Sequence, residues 1–290
     1  MEKPQQVISF RYVADRYRAE VIPTKAPRTQ VDNAAELAKL IEFFDNPPCP
    51  LDAITPQHVK QYIRWRSKTA KVRANRERAL LSHIWNWSRG ERYTALPNPC
   101  AGIKGNSETG RDIYVEDDAY TSMWEKASQM LHDAMGLAYL TGQRPADTLR
   151  MDEAHIKDGC LEVRQGKTSK KLRVTIDAEL RAIIARVKAR KRENPVYSTR
   201  LVVLDNGQPP SIKTLQKHWQ DARTAARLPT DIQFRDLRAK AGTDTTDQTG
   251  DIRKAQQQLG HQNLAMTEHY VRQRRGDKVN PTVRLKPKSK

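Results

Sequence analysis

Several short stretches in the second half of the chain carry side chains able to hold an anionic group. In QFRDLRAK, Arg235 and Arg238 stand three residues apart; on a helix they share a face and can both reach one anion. In LTGQRPAD, Arg144 directly precedes Pro145, where an apolar helix ended by Gly142 gives way to a new helix and a guanidinium can point into a cleft. In VRQGKTSKKLRV, a Gly-Lys-Thr-Ser turn joins two alternating runs and makes Lys167 the tip of a hairpin. In QLGHQNLAMTEHYVR, Gly260 ends one helix, His261 occupies the turn, and Tyr270 lies on the next helix after Thr267.

Each position also has an ordinary explanation. Arg144 can pair with Asp147, and Arg235 or Arg238 with Asp231 or Asp236; Lys167 can simply solubilise a turn, and Tyr270 can be one exposed tyrosine on a polar helix. Their conjunction and order carry the argument. A nucleoside-triphosphate loop is excluded, because the glycine required five residues before Gly166 is Leu161. His261 and His269 lack HExxH-like spacing and a nearby third ligand, and Cys49, Cys100 and Cys160 form no CxxC pair, so no metal or redox chemistry is expected.

The elements that must position these residues can be read from apolar spacing. Residues 9–21 carry Phe10, Val13, Tyr17 and Val21 at helical intervals, and residues 34–44 repeat the pattern with Leu37, Leu40, Ile41 and Phe44. Thr55 and Pro56 read as the N-cap and first residue of a third helix through Val59, Tyr62, Ile63 and Trp65; residues 74–88 form a fourth with Leu80, Leu81, Ile84 and Trp85. These make a helical bundle over residues 1–100. Prolines, glycines and small polar residues between 97 and 112 predict an interdomain linker, placed at 101–112. Beyond it, helices are expected at 115–128, 131–140, 177–192, 211–226, 236–246, 252–259 and from 265 onward. Strands are expected at 160–164 and 172–176, with a further short one at 201–204. The second domain, 113–272, is thus mostly α with a small sheet, and residues 273–290 form a basic arm.

Charge then narrows the partner. The chain has 290 residues, with 52 Lys and Arg against 34 Asp and Glu, a formal net charge of +18, which calls for a polyanion. No apolar run approaches the roughly 18 residues of a membrane-spanning helix, and the N-terminus MEKPQQVISF lacks a signal pattern. DNA, RNA and an anionic membrane surface all qualify as that polyanion; a spanning protein is excluded, no membrane partner is expected, and a reducing cytosolic setting fits. Lys60, Arg64, Arg66, Lys68, Lys71, Arg73, Arg76 and Arg78 fall within one helix, its turn and the next helix; that concentration favours phosphate contacts over a merely solvated face.

Arg144 in TGQRPAD, Lys167 in QGKTSKK, Arg238 in RDLR, LGH ending at His261 and Tyr270 in MTEHY resemble, in order and spacing, the signature of the tyrosine recombinase (phage integrase) family. LGHxxxxxTxxY is the most discriminating piece. The likeness covers most of the second domain. The first resembles the family's helical, SAM-like core-binding domain through APRTQ, DAITPQHVKQYI and ANRERALLSHIW.

The resemblance implies the DNA breaking-rejoining enzyme fold, with two domains closed as a C-shaped clamp on double-stranded DNA. It implies four protomers on two DNA sites, a Holliday-junction intermediate, a tail packed against a neighbour, and DNA-bending accessory proteins. The setting would be a bacterial host, at the nucleoid, with a phage or mobile element integrated or excised. Tyr270 would attack a backbone phosphate, leaving a 3′-phosphotyrosyl bond and a free 5′-hydroxyl. The ester retains the phosphodiester's bond energy, so neither ATP nor metal is required. Arg144 and Arg238 would stabilise the pentavalent transition state through bidentate forks, His261 would hydrogen-bond the phosphate, and Lys167 would protonate the leaving oxygen, with Lys170 or Lys171 as alternatives.

Two departures qualify the likeness. The family's HxxR reads Arg235-Asp236-Leu237-Arg238 here; an arginine cannot accept a proton, although it can add a phosphate contact and lower a phenol's pKa. Ahead of Ser9 there is no counterpart of the arm-site-binding domain carried by many phage integrases, so a simpler recombinase or a piece of a longer one is expected. The alternatives are a catalytically silent DNA-binding protein on the same scaffold and a type IB topoisomerase-like relaxer.

Overall fold

A computed structural model describes residues 7–193 and 198–275; for residues 269, 270 and 272–275 it describes the backbone alone. The chain divides into two compact units between Gly110 and Arg111.

In the first unit, α1 (Phe10–Glu20) starts at Ser9, whose hydroxyl accepts from the Tyr12 amide at 3.1 Å. α2 spans Pro27–Phe44, a start seven residues earlier than apolar spacing suggests. Pro27 opens the helix, but its first turns (Arg28, Thr29, Gln30, Asp32, Asn33) are polar and show no apolar period. α3 spans Pro56–Gly90 and is broken at Ala70 (φ −156°, ψ 76°), so two expected helices form one element with a kink. Thr55 and His58 close the expected cap reciprocally. Phe10, Leu37, Leu40, Tyr62, Leu81, Ile84 and Trp85 meet in one core; each such side chain contributes roughly 1.5–3 kcal/mol by leaving water. Across the kink, Glu77 is 2% exposed and accepts from Tyr62 Oη at 2.7 Å and Arg66 Nε at 3.0 Å. This pairing fastens the two halves of α3 together.

The expected linker is not slack over its first part. Asn106 donates its amide to Asn75 Oδ1 at 2.7 Å and its side chain to Ser67 Oγ at 2.8 Å, and Arg78 holds the Ile103 carbonyl. From Arg111 onward the chain is fastened to the second unit. Arg111 grips Asp236 with Nε at 2.8 Å and Nη2 at 2.6 Å, and buried Lys240 pairs with Asp117 and with Asp244 at 3.0 Å.

The second unit is mainly helical: α4 (Asp117–Lys126), α5 (Gln129–Thr141), α6 (Pro145–Thr148), α7 (Ala178–Arg192), α8 (Ile212–Ala225), α9 (Leu237–Thr249), α10 (Ile252–Leu259) and α11 (Leu264–Arg275). Between α6 and α7 lies an antiparallel sheet in order β1 (Ile156–Lys157), β2 (Cys160–Arg164), β3 (Lys171–Thr175). β2 and β3 form the expected hairpin, with Leu161 opposite Val174 and Val163 opposite Leu172.

The strand expected at 201–204 is not formed. Leu201, Val202 and Val203 are fully buried in irregular chain, with Leu201 N bonded to Met151 O at 2.9 Å. The run is apolar because it lines the core, not because it pairs in a ladder. The arm expected from residue 273 begins inside α11, which runs to Arg275; its remainder lies outside the described residues.

Candidate active site

Two glycines shape the site. Gly142 (φ +65°) ends α5 and Gly260 (φ +66°) ends α10, each in the left-handed conformation that favours glycine. Arg238, in the first turn of α9 and 3% exposed, reaches both helix ends. Its Nη1 donates to Gly142 O at 2.6 Å and its Nη2 to Leu259 O at 2.5 Å. A guanidinium suits this place because the carbonyl ends of two helices carry partial negative charge.

Arg144 is the N-cap of α6, with Pro145 as first helical residue, as expected. Its Nη1 donates to Gln165 Oε1 at 3.2 Å, whereas Asp147 lies 3.9 Å away. The suspected Arg144–Asp147 pair is therefore secondary. Asp147 instead accepts from the Gly166 amide at 2.9 Å and pairs with Arg150.

Lys167 sits in the β2–β3 turn, exposed and without a hydrogen-bonding partner among the described residues. Lys170 is half-buried and close enough for its charge to act on His261. The turn is tied by Gln165 N to Lys170 O at 2.9 Å and Ser169 N to Gln165 O at 2.8 Å.

His261 is 4% exposed. Burial first, then the cations Arg238, Arg144 and Lys170, push its pKa down to about 4, so the ring is neutral at pH 7. Its Nδ1 lies 3.0 Å from Thr267 Oγ1. Thr267 is fully buried, and that nitrogen is its hydroxyl's partner among the described residues. With the hydroxyl donating to Nδ1, the ring proton is assigned to Nε2.

Arg235 and Arg238 do not share an environment. Residues Phe234–Asp236 form a tight 3-10 turn before α9, leaving Arg235 exposed while Arg238 is buried. Asp236, one of the suspected partners of Arg235, is gripped by Arg111. Tyr270 lies in α11, three residues beyond Thr267; its side chain is outside the described set.

A family model for the phage integrase family matches residues 114–276. The chain belongs to the phage integrase family. The integrase of Escherichia phage HK022 is 28% identical over 266 residues, covering 87% of this chain and 73% of that protein. A lambda integrase dimer bound to a COC′ core site has a TM-score of 0.82 at 22% identity, over 96% of this chain and 81% of that one. A lambda integrase tetramer bound to a Holliday junction has a TM-score of 0.84 at 21% identity, over 95% and 81%. At these identities the structures show that the fold is shared.

As a phage integrase, the chain is a tyrosine-type site-specific recombinase. No described helix is long and apolar enough to cross a membrane. Of the bases singled out in the first unit, Lys60, Arg64, Lys68, Lys71, Arg73 and Arg76 are exposed. Arg66 and Arg78 are not part of that surface: Arg66 neutralises buried Glu77, and Arg78 turns in to the Ile103 carbonyl. A charge count along a helix cannot separate these two from their neighbours, because Arg66 meets Glu77 only across the kink at Ala70 and Arg78 meets a carbonyl 25 positions away.

Gln165, Gln143 and Thr267 were not assigned roles from sequence. Thr267 could have been flagged by its place in LGHxxxxxTxxY. Nothing in the sequence distinguishes Gln165 from other polar residues at strand ends.

Proposed function

We propose that this integrase breaks and rejoins DNA at a defined core site, with Tyr270 as nucleophile and Arg144, Arg238, His261 and Lys167 acting on the scissile phosphate. The observation that carries this reading is a hydrogen-bonded path from Arg144 through Gln165 to Leu259 O, which Arg238 also grips, with neutral His261 two residues further on. In support of the reading, the charges of Arg144 and Arg238 both act on His261, so such a path would hold two guanidiniums near one imidazole before substrate arrives.

Tyr270 Oη would attack phosphorus, forming the O–P ester as the P–O5′ bond breaks. The pentavalent transition state gathers charge on its non-bridging oxygens, where Arg144 acts as a fork and Arg238, whose Nη atoms already hold two carbonyls, adds its charge. His261 contributes an Nε2–H hydrogen bond and, being neutral, does not serve as a buried cation. Lys167, exposed on the hairpin, delivers a proton to the departing 5′-oxygen. The phenol proton passes to solvent water. Arg235 cannot take it, and His261 is in its proton-donating form; Arg235 instead favours the phenolate by its charge. The reverse attack by a partner 5′-hydroxyl rejoins the strand.

The first unit serves as core-binding domain through exposed Lys60, Arg64, Lys68, Lys71, Arg73 and Arg76, and the second as catalytic domain. Four copies on two duplexes is the working assembly; lambda integrase, which shares the fold, has been seen as a tetramer on a Holliday junction. The same reading puts the chain at the nucleoid of a bacterial host, with DNA-bending proteins as helpers.

A pool of nicked duplexes randomised across the core provides the test. Wild type should capture members as denaturant-stable adducts whose sequencing defines the site, and Tyr270→Phe should capture none. Binding without any adduct would favour a silent DNA-binding protein, and relaxation without intermolecular joining a topoisomerase-like relaxer.

A further inference from the structure

Gln165 is fully buried, and every hydrogen-bonding capacity of its amide is used. Nε2 donates to Gln143 Oε1 at 2.8 Å and to Leu259 O at 2.9 Å. Oε1 accepts from Arg144 Nη1 at 3.2 Å and from Thr168 Oγ1 at 2.9 Å. The sense of the amide is fixed by these partners: reversal would set its NH2 against a guanidinium and its oxygen against two other oxygens.

The partners belong to separate parts of the unit. Arg144 opens α6, and Thr168 lies in the turn that carries Lys167. Leu259 ends α10 and shares its carbonyl with Arg238. Gln143, itself 1% exposed, passes the network on to Thr141 O at 2.7 Å and Gln258 O at 3.1 Å, at the ends of α5 and α10. The backbone of Gln165 brackets the turn through its bonds to Lys170 and Ser169.

Room for this amide comes from Gly260. A Cβ there would stand 2.9 Å from Gln165 Nε2, closer than such contacts allow, and at φ +66° any side chain is strained as well. Glycine at the head of Gly260-His261 therefore caps α10 and also admits Gln165 behind the histidine.

We infer that Gln165 is a positioning residue for strand cleavage: without touching DNA, it sets Arg144 and the Lys167 turn in register with Arg238 and His261. This rests on the roles proposed above for those four residues. Because Oε1 takes Nη1, the other nitrogens of Arg144 make no bond among the described residues and are left to meet a phosphate. The alternative is a buried amide that only stabilises the fold. The two differ in what a substitution changes. Loss of positioning slows chemistry at constant affinity, whereas loss of fold lowers both.

The test uses the full chain and a nicked duplex recovered from the randomised pool with wild type. Gln165→Met keeps the volume and removes all four bonds; Gln165→Glu keeps the two acceptor bonds and sets an oxygen against Leu259 O. For each, thermal melting, DNA affinity by anisotropy and single-turnover adduct formation are measured.

With affinity held within about 3-fold, the Met variant should form adduct about 100-fold more slowly, the scale on which small misplacements of catalytic groups act. The Glu variant should fall between it and wild type. Adduct formation at the wild-type rate in the Met variant would overturn the inference. So would a slowing matched by an equal loss of folded protein or of affinity in both variants. Failure of wild type to capture any duplex would instead overturn the proposed function itself.

Discussion

His261 Nδ1 stands 3.0 Å from the buried hydroxyl of Thr267, three residues before Tyr270 on the same helix. With that hydroxyl donating, Nδ1 accepts and His261 is assigned the tautomer that offers Nε2–H. Thr267→Val keeps the shape and removes the donor, leaving Nδ1 buried without it. Adduct formation should fall about 10-fold or more, because a misoriented imidazole gives the transition state a poorer hydrogen bond. Thr267→Ser should restore most of it. Nitrogen-15 shifts of His261 should show Nε2 protonated in wild type and a tautomer mixture in the Val variant. A Val variant with wild-type rate and tautomer would sink this assignment.

The same histidine predicts how stability depends on acid. In the folded state its pKa lies at about 4 because of burial and the nearby Arg238, Arg144 and Lys170, against an ordinary value of 6.5. An unfolded chain therefore binds this proton first as pH falls. The contribution is fully present above pH 6.5, diminishes between 6.5 and 4, and is gone below 4; its size is on the order of 3 kcal/mol. Urea denaturation at a series of pH values should show this loss in wild type and not in His261→Gln. Parallel curves for the two proteins would contradict it.

These two residues also show what sequence could and could not reveal. Helix-spaced apolar residues made most helices legible, and alternation gave the β2–β3 hairpin, because burial of one face imposes those periods. Gly142 before Arg144 and Gly260 before His261 marked the right helix ends. Periodicity misses the polar start of α2 and takes the buried run 201–204 for a strand for one reason: it reports which face is buried, not which backbone geometry buries it. The site's supporting shell was hidden because it is built from long-range contacts. Gln165 meets Leu259 across 94 positions and Arg111 meets Asp236 across 125.

The basic surface of the first unit should divide under mutation. Replacing any one of exposed Lys60, Arg64, Lys68 or Lys71 by alanine should leave melting nearly unchanged. Where that side chain meets a phosphate, it should reduce the slope of log affinity against log salt by roughly 0.9. Arg66→Ala should do the reverse. It strands Glu77, 2% exposed, inside the kink of α3 and should cost about 3–5 kcal/mol with little change in salt slope. Denaturation paired with salt titration separates the classes; equal behaviour of Arg66 and Lys60 would refute the division.

Arg235 gives the sharpest prediction about proton flow. It is exposed on the turn before α9, where the family usually has histidine, and it cannot accept the phenol proton. His261, neutral and holding its proton on Nε2, is not a base either. With water as acceptor, the rate of adduct formation should follow the phenolate fraction and rise about tenfold per pH unit from pH 6 toward 8, without a neutral inflection. Arg235→His would introduce an exposed imidazole with an ordinary pKa near 6.5. The variant's profile should level off above that value as the imidazole loses its proton and becomes a competent base. Single-turnover rates on one nicked duplex across this range decide the matter. A wild-type profile that already levels near 6.5 would mean that a base other than water takes the proton from Tyr270.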